Sequence, residues 1–101
     1  MKEIKTFEEL QKEFTEGVTL VDFYATWCNP CKMLMLQLEQ LEQEENVKIL
    51  KVDVEEGPEL AGQFEVMSVP TLIFFLNGDM KFKSIGFQSK EQLQELIGKV
   101  V

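Results

Sequence analysis

Cys28 and Cys31 are the only cysteines in the chain, and they stand two residues apart in Trp27-Cys28-Asn29-Pro30-Cys31-Lys32. Thiols at that spacing can close to a disulfide and reopen, moving two electrons each time. The competing uses are a structural bridge or half of a zinc site. A bridge here closes a very short loop, and short loops gain least from cross-linking. Structural zinc takes four Cys or His ligands. The chain has no histidine, so a zinc site would need thiolates from a second copy, and no metal site is expected. Lack of histidine also excludes Ser-His-Asp hydrolysis and imidazole acid–base catalysis. Asp22 is the second chemically informative residue. It interrupts the apolar run Leu20-Val21-Asp22-Phe23-Tyr24, where a carboxylate is costly unless neutral or paired. Burial there raises its pKa; an outward-facing edge position is the alternative.

The elements around these residues follow from local patterns. Thr6 and Glu9 make a capping box, and Phe7, Leu10 and Phe14 continue at helical spacing until Gly17, which is expected to stop the helix. Val18 to Ala25 reads as a strand buried on both faces. Pro30 suits the first turn of the next helix, whose run from Lys32 to Glu45 has Leu34, Leu38 and Leu41 as its buried stripe. Its acidic and amide residues from Glu39 to Glu45 read as a solvated face. Val47 to Val54 is a strand, Glu59 to Phe64 a short helix, and Thr71 to Leu76 a buried strand. Asn77-Gly78 marks a two-residue hairpin into a strand from Met80 to Ile85. Ser89 and Gln92 cap a last helix with Leu93, Leu96, Ile97 and Val100 inward, and a short strand is expected near Ile4. Alternating helices and strands followed by a hairpin predict a mixed α/β sheet with helices on both faces.

Bulk properties narrow the partners. The 101 residues are expected to form one domain, 1–101, and are 45% hydrophobic, enough for a core without a disulfide staple. The net charge of −8 argues against nucleic acid and against anionic membranes, which need basic patches. No signal-peptide core opens the chain, and no apolar run approaches the roughly 20 residues of a membrane span. A cytoplasmic location is expected.

Taken together, Val21-Asp22-Phe23, Trp27-Cys28-x-Pro30-Cys31-Lys32, Val52-Asp53-Val54, Val69-Pro70-Thr71, Asn77-Gly78 and Gly86 give the chain a resemblance to the thioredoxin family over nearly its whole length. Three positions depart from the family pattern: Asn29 replaces a glycine, Tyr24 a tryptophan, and Leu36 a helix-kinking proline. The resemblance implies the thioredoxin fold, a central mixed sheet of four to five strands flanked by helices on both faces. It implies that Cys28, at a helix start that favours a thiolate, is the nucleophile. Its pKa would fall to about 7, the family's own value rather than one derived from these residues. Cys31 would resolve the mixed disulfide, and Asp22 would accept its proton. Lys51 would neighbour Asp22; strand alternation puts it on the face of Val47 and Ile49, with its stem partly buried. Pro70 fits a strand's first position, and the resemblance implies a cis Val69–Pro70 bond whose backbone meets substrate. Trp27, Asn29, Pro30, Met67, Val69, Pro70, Gly86 and Phe87 would form the docking surface, with ordinary core the alternative for Met67 and Phe87.

The implied activity is reduction of protein disulfides, recharged by thioredoxin reductase with NADPH, with no bound cofactor beyond the Cys28–Cys31 couple and a monomer as the default. An oxidant or isomerase tuned by Asn29 is the alternative enzyme; such relatives often carry a histidine in the motif, and this chain has none. A glutaredoxin-like role fits less well, that family usually having a proline and an aromatic between its cysteines. A non-catalytic thioredoxin-like binding module is the alternative outside enzymology.

Overall fold

The computed structural model describes residues 1–101. In chain order the elements are β1 (Lys2–Glu3), α1 (Phe7–Glu13), β2 (Val18–Tyr24), α2 (Asn29–Glu44), β3 (Lys48–Asp53), α3 (Pro58–Gln63), β4 (Thr71–Leu76), β5 (Asp79–Ile85) and α4 (Lys90–Val100). One five-stranded sheet runs β1-β3-β2-β4-β5. β2 is parallel to β3 and antiparallel to β4, and β4 pairs antiparallel with β5. The apolar β2 thus takes the central place, where both faces are covered.

Strand alternation divides the core into two layers. Val18 and Leu20 of β2 pack with Leu34, Leu38 and Leu41 of α2 and with Leu93, Ile97 and Val100 of α4. Val21 and Phe23 pack on the other side with Leu10 of α1, Leu60 and Ala61 of α3, and Phe75. The helices therefore lie on both faces, as the alternating pattern predicts. No helix is long and apolar enough to cross a membrane.

Both capping boxes form: Thr6 with Glu9, and Ser89 with Gln92. The hairpin turn also forms as expected, with φ of 51° at Asn77 and 86° at Gly78, the left-handed pair that a two-residue turn requires. Most strand and helix ends fall within a residue or so of expectation, but the end of α1 does not. α1 stops at Glu13 rather than running to Gly17. The Lys48 ammonium donates to the Glu13 carbonyl at 2.6 Å, satisfying the helix end. Phe14 then leaves the helix and packs on Phe75, with ring centroids 4.8 Å apart. Phe14 gains more from the sheet core than from another helical turn.

Candidate active site

Cys28 is the N-cap of α2, and Pro30 sits in the helix's first turn, where its missing N–H costs nothing. The Cys31 backbone N–H points at Cys28 Sγ, 3.3 Å away. Cys28 and Cys31 are joined as a disulfide. Both are buried with Ala25, and Tyr24, Val54 and Val69 pack around them. Cys31 shares the inward stripe of α2 with Leu34, Leu38 and Leu41, so it faces the sheet while Cys28 lies at the helix tip. The helix runs unbroken through Leu36, which is exposed on its outer side.

Four further elements converge on this tip. The segment before β4 brings Val69, joined to Pro70 by a cis peptide bond, and the Val69 carbonyl oxygen lies 3.8 Å from Cys28 Sγ. The end of β5 contributes Gly86, whose N–H donates to the Pro70 carbonyl at 2.9 Å. Gly86 has φ of +92°, a conformation suited to glycine. Trp27 is 68% exposed and Met67 92% exposed. They line a groove of about 390 Å³ together with Val54, Val66, Ser68 and Val69. Asn29 and Pro30 are exposed at the helix start. Phe87, 41% exposed, follows Gly86 at the same end of the sheet; Asn29, Pro30, Pro70, Gly86 and Phe87 are not part of the groove lining. Core placement is excluded for Met67.

Beneath the dithiol, Asp22 is completely buried, and neither carboxylate oxygen has a hydrogen-bond partner. It shares its β2 face with Val18 and Leu20, the face covered by α2 and therefore by Cys31. Burial pushes its pKa up from 3.8 to about 7, against the pull of Lys51. Lys51 stands directly opposite Asp22 in the β2–β3 register. Its ammonium does not close an ion pair with Asp22; it lies 5.9 Å from the centroid of the Tyr24 ring. The Tyr24 hydroxyl donates to Glu3 Oε2 at 2.6 Å.

Sequence reasoning missed Val54, Val66 and Ser68 in the groove, although their closeness to Asp53 and Pro70 in the chain was a usable signal. It also missed a second opening of about 270 Å³, which reaches buried Cys31 past Tyr24, Met35 and Leu36. The largest surface hollow, about 450 Å³, lies at the opposite end of the sheet. There Glu13 is paired with Lys2 and Lys48 and Glu42 with the N-terminal ammonium. No three His, Cys, Asp or Glu side chains gather closely enough to hold a metal ion.

Comparison with known proteins points the same way. The family model described as Thioredoxin matches residues 2–99. The thioredoxin of Bacillus subtilis (strain 168) is 48% identical over 96 residues, covering 93% of this chain and 92% of that protein. The thioredoxin of Staphylococcus saprophyticus is 54% identical over 85 residues, 82% of each chain. Among solved structures, a mutant thioredoxin from Halobacterium salinarum NRC-1 superposes with a TM-score of 0.92 at 34% identity, covering 97% of this chain and 88% of that one.

Proposed function

Because the chain belongs to the thioredoxin family, we propose that this thiol–disulfide oxidoreductase works as a reductant of protein disulfides, with Cys28 attacking and Cys31 resolving. The observation that carries the reading is Cys28 as N-cap of α2, with the Cys31 N–H on its sulfur. Unpaired N–H groups and the positive helix end favour a thiolate at that place, and the thiolate is the attacking species.

The reduced protein attacks one sulfur of a substrate disulfide through Cys28, and the other substrate sulfur leaves as a thiolate that takes a proton from water. Cys31 then gives its proton to Asp22 and attacks Cys28 Sγ. The mixed disulfide breaks, the second substrate sulfur leaves, and Cys28–Cys31 closes. Two electrons have passed to the substrate. Asp22 suits its part because its titration near neutrality lets it hold or release a proton at working pH. The groove of Trp27, Met67 and Val69 would seat the apolar flank of the substrate, and the Val69 carbonyl beside Cys28 would receive a backbone N–H. Asn29, Pro30, Pro70, Gly86 and Phe87 would border it.

We further infer that residues 1–101 act as one monomeric domain in the cytoplasm, recharged by a thioredoxin reductase using NADPH. The test is the midpoint potential of the Cys28–Cys31 couple, by equilibration in thiol–disulfide buffers. A value near −270 mV is expected for a reductant; a value between about −180 and −120 mV would make it an isomerase or oxidant. Cys31→Ser should accumulate the mixed disulfide, and normal turnover of that variant would refute the two-step scheme.

A further inference from the structure

The Lys51 ammonium and the Asp22 carboxyl are opposite each other in adjacent strands, yet they do not pair. A buried carboxylate without a partner is expensive, and a lysine one rung away is its natural counter-ion. Something must hold the ammonium elsewhere. Its seat is the Tyr24 ring, 5.9 Å from Nζ and within the range of a cation–π contact. The ring in turn is pinned from its far side, where its hydroxyl donates to Glu3 on the edge strand β1 at 2.6 Å.

We propose that Tyr24 is a positioning residue for the resolving step: anchored by Glu3, its ring seats the Lys51 ammonium beside Asp22 without letting the two pair, so that Asp22 stays free to exchange a proton with Cys31. A closed Lys51–Asp22 pair would hold the carboxyl in its ionised form and leave a weaker base for Cys31.

The other groups facing Asp22 do not supply this control. On β4 its neighbour is Leu72, followed on β5 by Ser84. From α2 the facing titratable group is Cys31, while Lys32 and Glu39 sit at the exposed rim of the opening past Tyr24. On β3, Asp53 is level with Tyr24 and already accepts the Glu55 N–H at 2.9 Å. Lys51 is the one cation close enough to matter, and Tyr24 is what it rests on.

The test is the titration of Asp22 in the reduced protein, followed by carboxyl-carbon NMR, with the pH profile of mixed-disulfide resolution alongside. In Tyr24→Leu the midpoint should fall by about one pH unit or more, a tenfold change in acidity, and the acid limb of the profile should move with it. Tyr24→Trp, which keeps a ring for the cation and an indole N–H that can donate to Glu3, should restore most of the original midpoint. In a Lys51→Met background, Tyr24→Leu should move nothing further. Should Tyr24→Leu fail to fold, Glu3→Ala removes the anchor together with a carboxylate opposite Lys51; it should shift the midpoint in the same direction, again only when Lys51 is present, whereas Glu3→Gln, which keeps an acceptor for the Tyr24 hydroxyl, should not. An unmoved midpoint, or an equal movement with and without Lys51, overturns the proposal. It rests on Asp22 taking the Cys31 proton, and Asp22→Ala separates the two failures. Unchanged resolution there overturns the role of Asp22; slow resolution there with an unmoved midpoint in Tyr24→Leu overturns only the role of Tyr24.

Discussion

Asp22 sets a conflict between stability and chemistry at a single side chain. Its carboxyl titrates near 3.8 in water and at about 7 in the fold. Below pH 3.8 it is protonated in both states and carries no ionisation penalty. Between those values the folded protein holds more protons than the unfolded chain, so stability falls as pH rises, and the full penalty applies above pH 7. Its size is on the order of 4 kcal/mol, from 1.36 kcal/mol per pH unit of difference. Asp22→Ala should therefore gain stability in urea unfolding by about 2–4 kcal/mol at pH 8, less the small cavity it leaves, and gain little at pH 4. An advantage that did not grow between those pH values would remove desolvation as the cause. On the role proposed for Asp22, the same variant should also slow exchange. Cys28 carries the opposite expectation: titrated by ultraviolet thiolate absorbance in the reduced protein, it should ionise below the roughly 8.5 of a free thiol. The apolar flanks of Asp22 favoured burial over an outward-facing edge position, and the fold buries it. The Tyr24–Glu3 bond was not, because it joins residues 21 positions apart through a two-residue strand that leaves almost no periodic signal.

At the scale of elements, local signals were legible wherever they were also self-sufficient. The two capping boxes, the Leu34-Leu38-Leu41 stripe and the Asn77-Gly78 turn each draw on residues within one turn of one another, and each formed where expected. The end of α1 was misread for the opposite reason. It is decided by Lys48 and Phe75, which lie far along the chain, and glycine at position 17 was the wrong stop signal. Gly17 serves instead the β2 entry, where its N–H donates to Asn77 Oδ1 at 2.7 Å while the Asn77 N–H returns to the Gly17 carbonyl at 3.0 Å. This two-point tie fastens the β4–β5 hairpin to β2 at the end of the sheet remote from the dithiol. Asn77→Ala loses the side-chain bond and places a less tolerant residue at φ of 51°. It should cost about 1–2 kcal/mol in urea unfolding while leaving the midpoint potential of Cys28–Cys31 unchanged. A shifted potential would mean that the hairpin transmits strain along β4 to Pro70.

The whole molecule assembles its site from places that no periodicity links: the end of β2, the tip of α2, the loop after β3, the segment before β4 and the end of β5. Periodicity made the mixed sheet legible, but the convergence of these five places was legible only through the family pattern. Where the sequence left Met67 between core and surface, the structure puts it 92% exposed beside Trp27 at 68%. In a molecule of net charge −8, an uncovered tryptophan and thioether next to the dithiol are apolar area of the kind that the proposed docking would bury. Burying a methionine side chain is worth about 1.5–3 kcal/mol, which is tenfold or more in affinity. Met67→Asp removes that area and adds a charge that must be desolvated on docking. Turnover of a protein disulfide at low substrate concentration should fall at least about tenfold, expressed mainly in KM. Reduction of a small aromatic disulfide, too small to cover the groove, should fall far less. Equal losses on both substrates would mean that Met67 acts on the dithiol itself, and the groove would then lose its claim to be where proteins dock.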